Sequence, residues 1–162
     1  MHNSDSRENK KMESPILEEF KKKLDIKYDL SSYKLQIKEN DIDCRFEFDF
    51  HNIENKVLGE IFSGRILNPG QRKKLSTDCL KFLAYEKMVS KLFGEPKDFQ
   101  KYIVVRDEKI ETNLMKSKSW LSNCIRIFDI KIIRIKLTPE QEKILNDSEA
   151  LQQKGNIKKS AL

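Results

Sequence analysis

The residues with the clearest chemistry are two acids, Asp49 and Glu60, in the stretch RFEFDFHNIENKVLGEIFSGR from Arg45 to Arg65. Each falls near the end of a strand-like run, and a short polar connection joins the runs. Glu60 is hemmed in by Leu58 and Phe62, a setting in which an unpaired carboxylate is costly. Two carboxylates at short range repel, and one of them resists ionising unless a cation joins them. Oxygen ligands suit hard ions, so Mg2+ or Mn2+ is the expected partner. Such an ion lowers the pKa of a bound water and steadies charge on a phosphodiester, while a nearby lysine would orient that water or neutralise the reacting phosphorus centre. The basic run Gln71-Arg72-Lys73-Lys74 follows closely, and Lys74, Asp78 and Lys81 share one helical face by their i, i+4, i+7 spacing. Each residue also has a plainer reading. Asp49 could end an exposed strand, Glu60 could pair with Arg65 or Lys74, and Asp78 could be the i,i+4 partner of Lys74.

A hairpin is needed to bring the two acids together. Phe46, Phe48 and Phe50 alternate with Arg45, Glu47 and Asp49, and Lys56 to Ser63 forms a second run, so an antiparallel pair joined through His51 to Asn55 is expected. Side chains two apart share a face of a strand. Glu60 therefore points with Leu58 and Phe62, and ordinary register sets it close to Asp49 at one end of the sheet. His51 reads as a turn residue. Asn68-Pro69-Gly70-Gln71 is a helix start, with Asn as cap and Gln three residues on. Leu75, Cys79, Leu80, Leu83, Met88 and Leu92 build its apolar face to about residue 92, where Gly94 and Pro96 end it.

The surrounding elements follow the same logic. Ser14-Pro15 opens a helix with Ile16, Leu17, Phe20 and Leu24 on one face, and Tyr33 to Ile37 alternates as a strand. Lys101 to Arg106 is a nearly continuous apolar run, typical of a strand covered on both faces. Residues 108–127 read as helical with a break near Ser117, with Leu114, Trp120, Leu121, Cys124 and Ile125 inward. Ile130 to Leu137 is a last strand, and Thr138 caps a terminal helix to about residue 153. The order α-β-β-β-α-β-α-β-α predicts an α/β protein with one domain over residues 14–153. Its mixed central sheet of about five strands is flanked by helices on both faces. Residues 1–13 and the basic stretch 154–162 carry no periodic apolar pattern and are expected to be mobile tails.

A net charge of +6 permits a polyanionic partner without demanding one. Its distribution says more. Residues 41–62 hold six acids against two bases and residues 71–91 six bases against two acids, an arrangement suited to a polyanion bridged by metal ions. Three widely spaced cysteines, Cys44, Cys79 and Cys124, are expected reduced and buried in a cytoplasmic protein. The amino-terminal stretch lacks the apolar run of a signal peptide, and no run is long enough to span a membrane. Glycine-rich phosphate loops and nucleophile elbows do not occur, and two histidines cannot build a His-rich zinc site. Cys44 and His51 make a nucleophile pair on paper, with nothing to orient it.

The acid near one strand end, then Glu60 in Gly59-Glu60-Ile61-Phe62 on the next, resembles the PD-(D/E)XK, or restriction-endonuclease-like, nuclease superfamily. The resemblance covers residues 15 to 137 in element order as well as motif. The stretch GEIFSGRILNPGQRKKLSTDCLKFL, from Gly59 to Leu83, is similar to an uncharacterised bacterial branch with that fold. Asp49 matches the first acid of the motif and Glu60 the second. Phe62 stands where the motif has lysine. Some members take that lysine from the following helix, and Lys74 is the match here. The resemblance implies a DNA-cleaving hydrolase using Mg2+ or Mn2+, with Asp49 and Glu60 as metal ligands and Lys74 assisting the water. It implies Glu18 or Glu19 on the first helix as a third carboxylate. Arg72, Lys73 and Lys81 on the basic helix would contact phosphates. One such site cuts one strand, so double-strand cleavage implies a homodimer or two successive nicks. The alternative is a catalytically inactive module on the same fold that binds nucleic acid or a protein partner, or a structural subunit of a larger complex.

Overall fold

The phenylalanines that alternate through Phe46, Phe48 and Phe50 do not form one strand, and this organises the architecture. A computed structural model describes residues 15–39, 42–147 and 150. The expected tails, and the end of the last helix, lie outside the described residues. In chain order the elements are α1 (residues 15–23), β1 (Leu35–Glu39), β2 (Ile42–Phe46), β3 (Phe50–Asn52), β4 (Val57–Phe62), α2 (Pro69–Phe93), β5 (Gln100–Val105), α3 (Glu108–Lys116), α4 (Trp120–Ile127), β6 (Ile130–Arg134) and α5 (residues 139–147). The strands make two sheets among the described residues. β1 and β2 pair antiparallel, and β3-β4-β5-β6 form a four-stranded sheet. Within the larger sheet β3 runs antiparallel to β4, while β4, β5 and β6 are parallel. The α/β class and the mixed topology are as expected, but the single five-stranded sheet is not. The segment Glu47–Asp49 carries the chain out of one sheet and into the other.

Of the described residues, those from 27 to 134 form one compact unit, and those from 15 to 26 together with those from 135 onward form another. In the first unit, alternate residues of the sheet (Leu58, Phe62, Ile103, Val105, Ile130 and Ile132) join one apolar core. That core also takes Leu75, Cys79 and Phe82 of α2, Ile110 and Leu114 of α3, and Leu121 and Ile125 of α4. Phe46 and Phe48 enter the same core, edge-on to Tyr85, and Phe48 stacks on Phe82 with centroids 5.6 Å apart. Offset and edge-on aromatic pairs of this kind add to simple burial. Three residues expected inward, Leu80, Leu92 and Trp120, are instead exposed, at 65%, 37% and 66%. In the second unit Ile16, Phe20, Ile135 and Leu145 are buried.

Local rules set the element ends. α1 closes on Asp25 in the left-handed region, with the Ile26 N–H reaching the Lys21 carbonyl and the Asp25 N–H the Lys22 carbonyl. The expected break in residues 108–127 is present, with Ser119 capping α4 after α3 ends at Lys116. α2 opens with a complete capping box. The Asn68 side chain accepts from the Gln71 N–H at 2.9 Å, and the Gln71 side chain accepts from the Asn68 N–H at 3.1 Å. Asn68→Ala is expected to cost about 1 kcal/mol, and a thermal melt should fall by about 2–4 °C. Among the described residues no helix is long and apolar enough to cross a membrane.

Candidate functional site

β4 is the strand that makes the site unusual. All six of its residues are buried, and one of them is Glu60, only 2% exposed. Alternation settles which way it faces. Leu58 and Phe62 enter the core under α2, so Glu60 between them faces α2 as well. Gly59 points to the opposite side and lies against the ring of Phe50.

The β3–β4 register settles Asp49. Phe50 is opposite Gly59, His51 opposite Leu58 and Asn52 opposite Val57. One step further along that register faces Asp49 with Glu60 on the same side of the sheet, where directly opposed residues have Cβ atoms about 5 Å apart. Asp49 itself sits where the strand bends, and its Oδ2 accepts the Ile61 N–H at 2.7 Å. The carboxylate thus takes over the edge of the sheet where the backbone ladder runs out.

α2 supplies the rest. Lys81 donates to Glu60 Oε1 and to the Glu47 carbonyl at 2.9 Å, and its Nζ is 3.2 Å from Asp78 Oδ1. It also lies over the Phe48 ring. Lys74 Nζ binds the other Asp78 oxygen at 3.1 Å. Asp78 is 3% exposed, so its carboxylate is held in the interior between two ammonium groups. Five side chains from three segments therefore share charge across one small region.

Electrostatics follow from this crowding. Burial pushes the Glu60 carboxyl up to about 9, and the charges of Asp49 and Asp78 push the same way against the opposing pull of Lys81. Burial disfavours the charged form of Lys74, but Asp78, Asp49 and Glu60 outweigh it and hold that amine protonated above its usual range. Lys81 is likewise opposed by burial and held protonated by Glu60 and Asp78. Neither amine can serve as a base near neutrality, and both can stabilise negative charge.

The chain matches no family model, no curated protein and no solved structure.

The structure brings Asp49, Glu60 and Lys74 into one electrostatic group, as the sequence spacing suggested. Glu18 is exposed on α1, and the Glu19 carboxylate bonds Lys22 at 2.8 Å. Of the residues expected on phosphates, Lys73 is exposed, whereas Arg72 donates to Asn113 Oδ1 at 3.1 Å and Lys81 turns into the acids. The amine on Glu60 is thus Lys81 rather than Lys74. Asp78 pairs with Lys74 four residues before it, as the spacing allowed, and in addition meets Lys81 on the same helical face. His51 is buried, and its Nε2 donates to the Tyr33 carbonyl at 3.0 Å. Burial lowers its pKa, partly offset by that bond. The Cys79 thiol is pushed up to about 12, chiefly by burial, which makes it a poor nucleophile.

Among the described residues no three His, Cys, Asp or Glu side chains are grouped as a metal cage. Mg2+ does not require one, since it keeps several waters and is commonly held by one or two carboxylates plus phosphate oxygens. The hard, all-oxygen pair of Asp49 and Glu60 fits that habit.

Proposed function

We propose that this protein is a divalent-metal-dependent nuclease of the PD-(D/E)XK kind, hydrolysing DNA phosphodiester bonds with Mg2+ or Mn2+ and serving restriction or defence. One observation carries the reading. A glutamate sits in the middle of a fully buried strand, with a second acid opposite it, at a cost that folding alone does not explain. Asp49 and Glu60 would hold the ion, which when bound supplies an acidified water and a counter-charge for the phosphate. Lys74, protonated and with a side chain 55% exposed, would meet a phosphate oxygen. Exposed Lys73 would follow the nucleic-acid backbone. Arg72 keeps α2 joined to α3 and would act on phosphate only by leaving Asn113.

The experiment is nicking of supercoiled plasmid. Wild-type protein with Mg2+ or Mn2+ should yield open circles, EDTA should stop the reaction, and Asp49→Asn should be silent under the same conditions. Equal nicking by wild type and Asp49→Asn would remove the claim. A second reading keeps the fold and drops the chemistry. Phe62 in the lysine position and the closure of Lys81 onto Glu60 both favour a module that binds nucleic acid or a protein without cutting. Salt-sensitive DNA binding without metal uptake would select it.

A further inference from the structure

Lys81 is held in an uncommon way. Its ammonium has three protons to donate, and it meets three oxygens from three segments: Glu60 of β4, Asp78 of α2 and the Glu47 carbonyl between β2 and β3. That is a cation site built from oxygens, with a cation on a tether inside it. A divalent ion bridging Asp49 and Glu60 needs the same Glu60 carboxylate, and two cations on one carboxylate repel at close range. The tether permits departure, because the Lys81 side chain is 28% exposed and its stem is unbranched.

We propose that Lys81 is a tethered cation that bridges Glu60 and Asp78 and is displaced from them when a divalent ion enters. The inference rests on the nuclease reading above and gives that site a gate. Asp78 would keep Lys74 on its other oxygen when Lys81 leaves. Lys101 makes a useful internal reference, since it is buried and its amine bonds Glu86 at 2.7 Å.

Two measurements on the full chain test this. The first is pulsed acetylation of wild-type protein read by mass spectrometry, with and without Mg2+. Lys81 labelling should rise several-fold on adding Mg2+ while Lys101 labelling stays constant. The second is Mn2+ titration followed by the free-ion spin-resonance signal. Lys81→Met should bind Mn2+ about tenfold tighter than wild type, and Mg2+ should raise its melting temperature more than it raises that of wild type. Wild type that binds Mg2+ with unchanged Lys81 labelling overturns the gate and leaves the nuclease reading standing. So does a folded Lys81→Met that binds Mn2+ no better. Indifference of both proteins to Mn2+ overturns the gate and the nuclease reading together. Should Lys81→Met fail to fold, the wild-type labelling decides alone.

Discussion

Glu60→Gln is expected to lose cleavage by about a hundredfold or more, yet to melt no lower than wild type. The second half of that expectation is the sharper one. In a structural ion pair, removing one charge from a buried partner costs about 3–5 kcal/mol. Here the carboxyl is already pushed up to about 9 by burial and by Asp49 and Asp78, so its charge is a burden that Lys81 relieves only in part. Glutamine keeps the shape and leaves an oxygen for Lys81, and its amide can donate toward the acids. The sign with pH is fixed. Below the ordinary carboxylate value of 4.5, both folded and unfolded chains hold the proton. Between there and about 9, the unfolded chain has released it and the folded chain retains it, so wild-type stability falls as pH rises through that window. The loss is on the order of a few kcal/mol. The amines of Lys74 and Lys81, both raised, act only above their ordinary value of 10.5. His51, lowered by burial, acts in the opposite sense on acidification and is common to both proteins. Denaturant melts at pH 5 and pH 8.5 should therefore show the variant's advantage growing with pH. A variant that is several kcal/mol weaker at both values would mean that Glu60 is there for the fold.

Gly59→Ala should destabilise the protein by about 3 kcal/mol, at the upper end of what overpacking usually costs. A Cβ at this position would stand 1.9 Å from Phe50 Cζ and 2.2 Å and 2.4 Å from two other ring carbons. Phe50 is fully buried, so the ring cannot swing into solvent. The damage should reach the site. Phe50 is the neighbour of Asp49, and a ring forced away from Gly59 takes Asp49 out of register with Glu60. Trimming the obstacle with Phe50→Leu in the Gly59→Ala background should recover part of the lost stability, leaving a coupling well beyond additivity in a double-mutant cycle. A Gly59→Ala protein as stable as wild type would show that the ring does not press on the glycine.

Much of this was readable from residue order. Period-two alternation brought Asp49 opposite Glu60, although Asp49 lies in the bend before β3 rather than on a strand, and the Asn68-to-Gln71 signature marked where α2 begins. Other features were not readable, for physical reasons. The even spacing of Phe46, Phe48 and Phe50 carries no mark of the break between them, because each ring is apolar and each finds a buried place. Phe46 and Phe48 pack toward α2, whereas Phe50 crosses to the other side to cover Gly59. Helical spacing put Lys74 and Lys81 on one face but could not say which meets Glu60. They are about 10 Å apart along the axis, and the choice depends on how α2 lies across the sheet. Likewise α4 is apolar on more than one side. Periodicity put Leu121 and Ile125 inside, where they are, but it put Trp120 inside as well, and that ring is outside.

The bond from Ile61 to Asp49 bears on ion size. One oxygen of that carboxylate is engaged by the backbone, so its easier offer to an ion is a single point of attachment. Calcium prefers a crowd of six to eight oxygens and often takes both from one carboxylate, whereas magnesium accepts sparse, single-point ligands and fills its octahedron with water. A strand edge finished by a side chain instead of another strand would thus bias the proposed site toward the smaller ion.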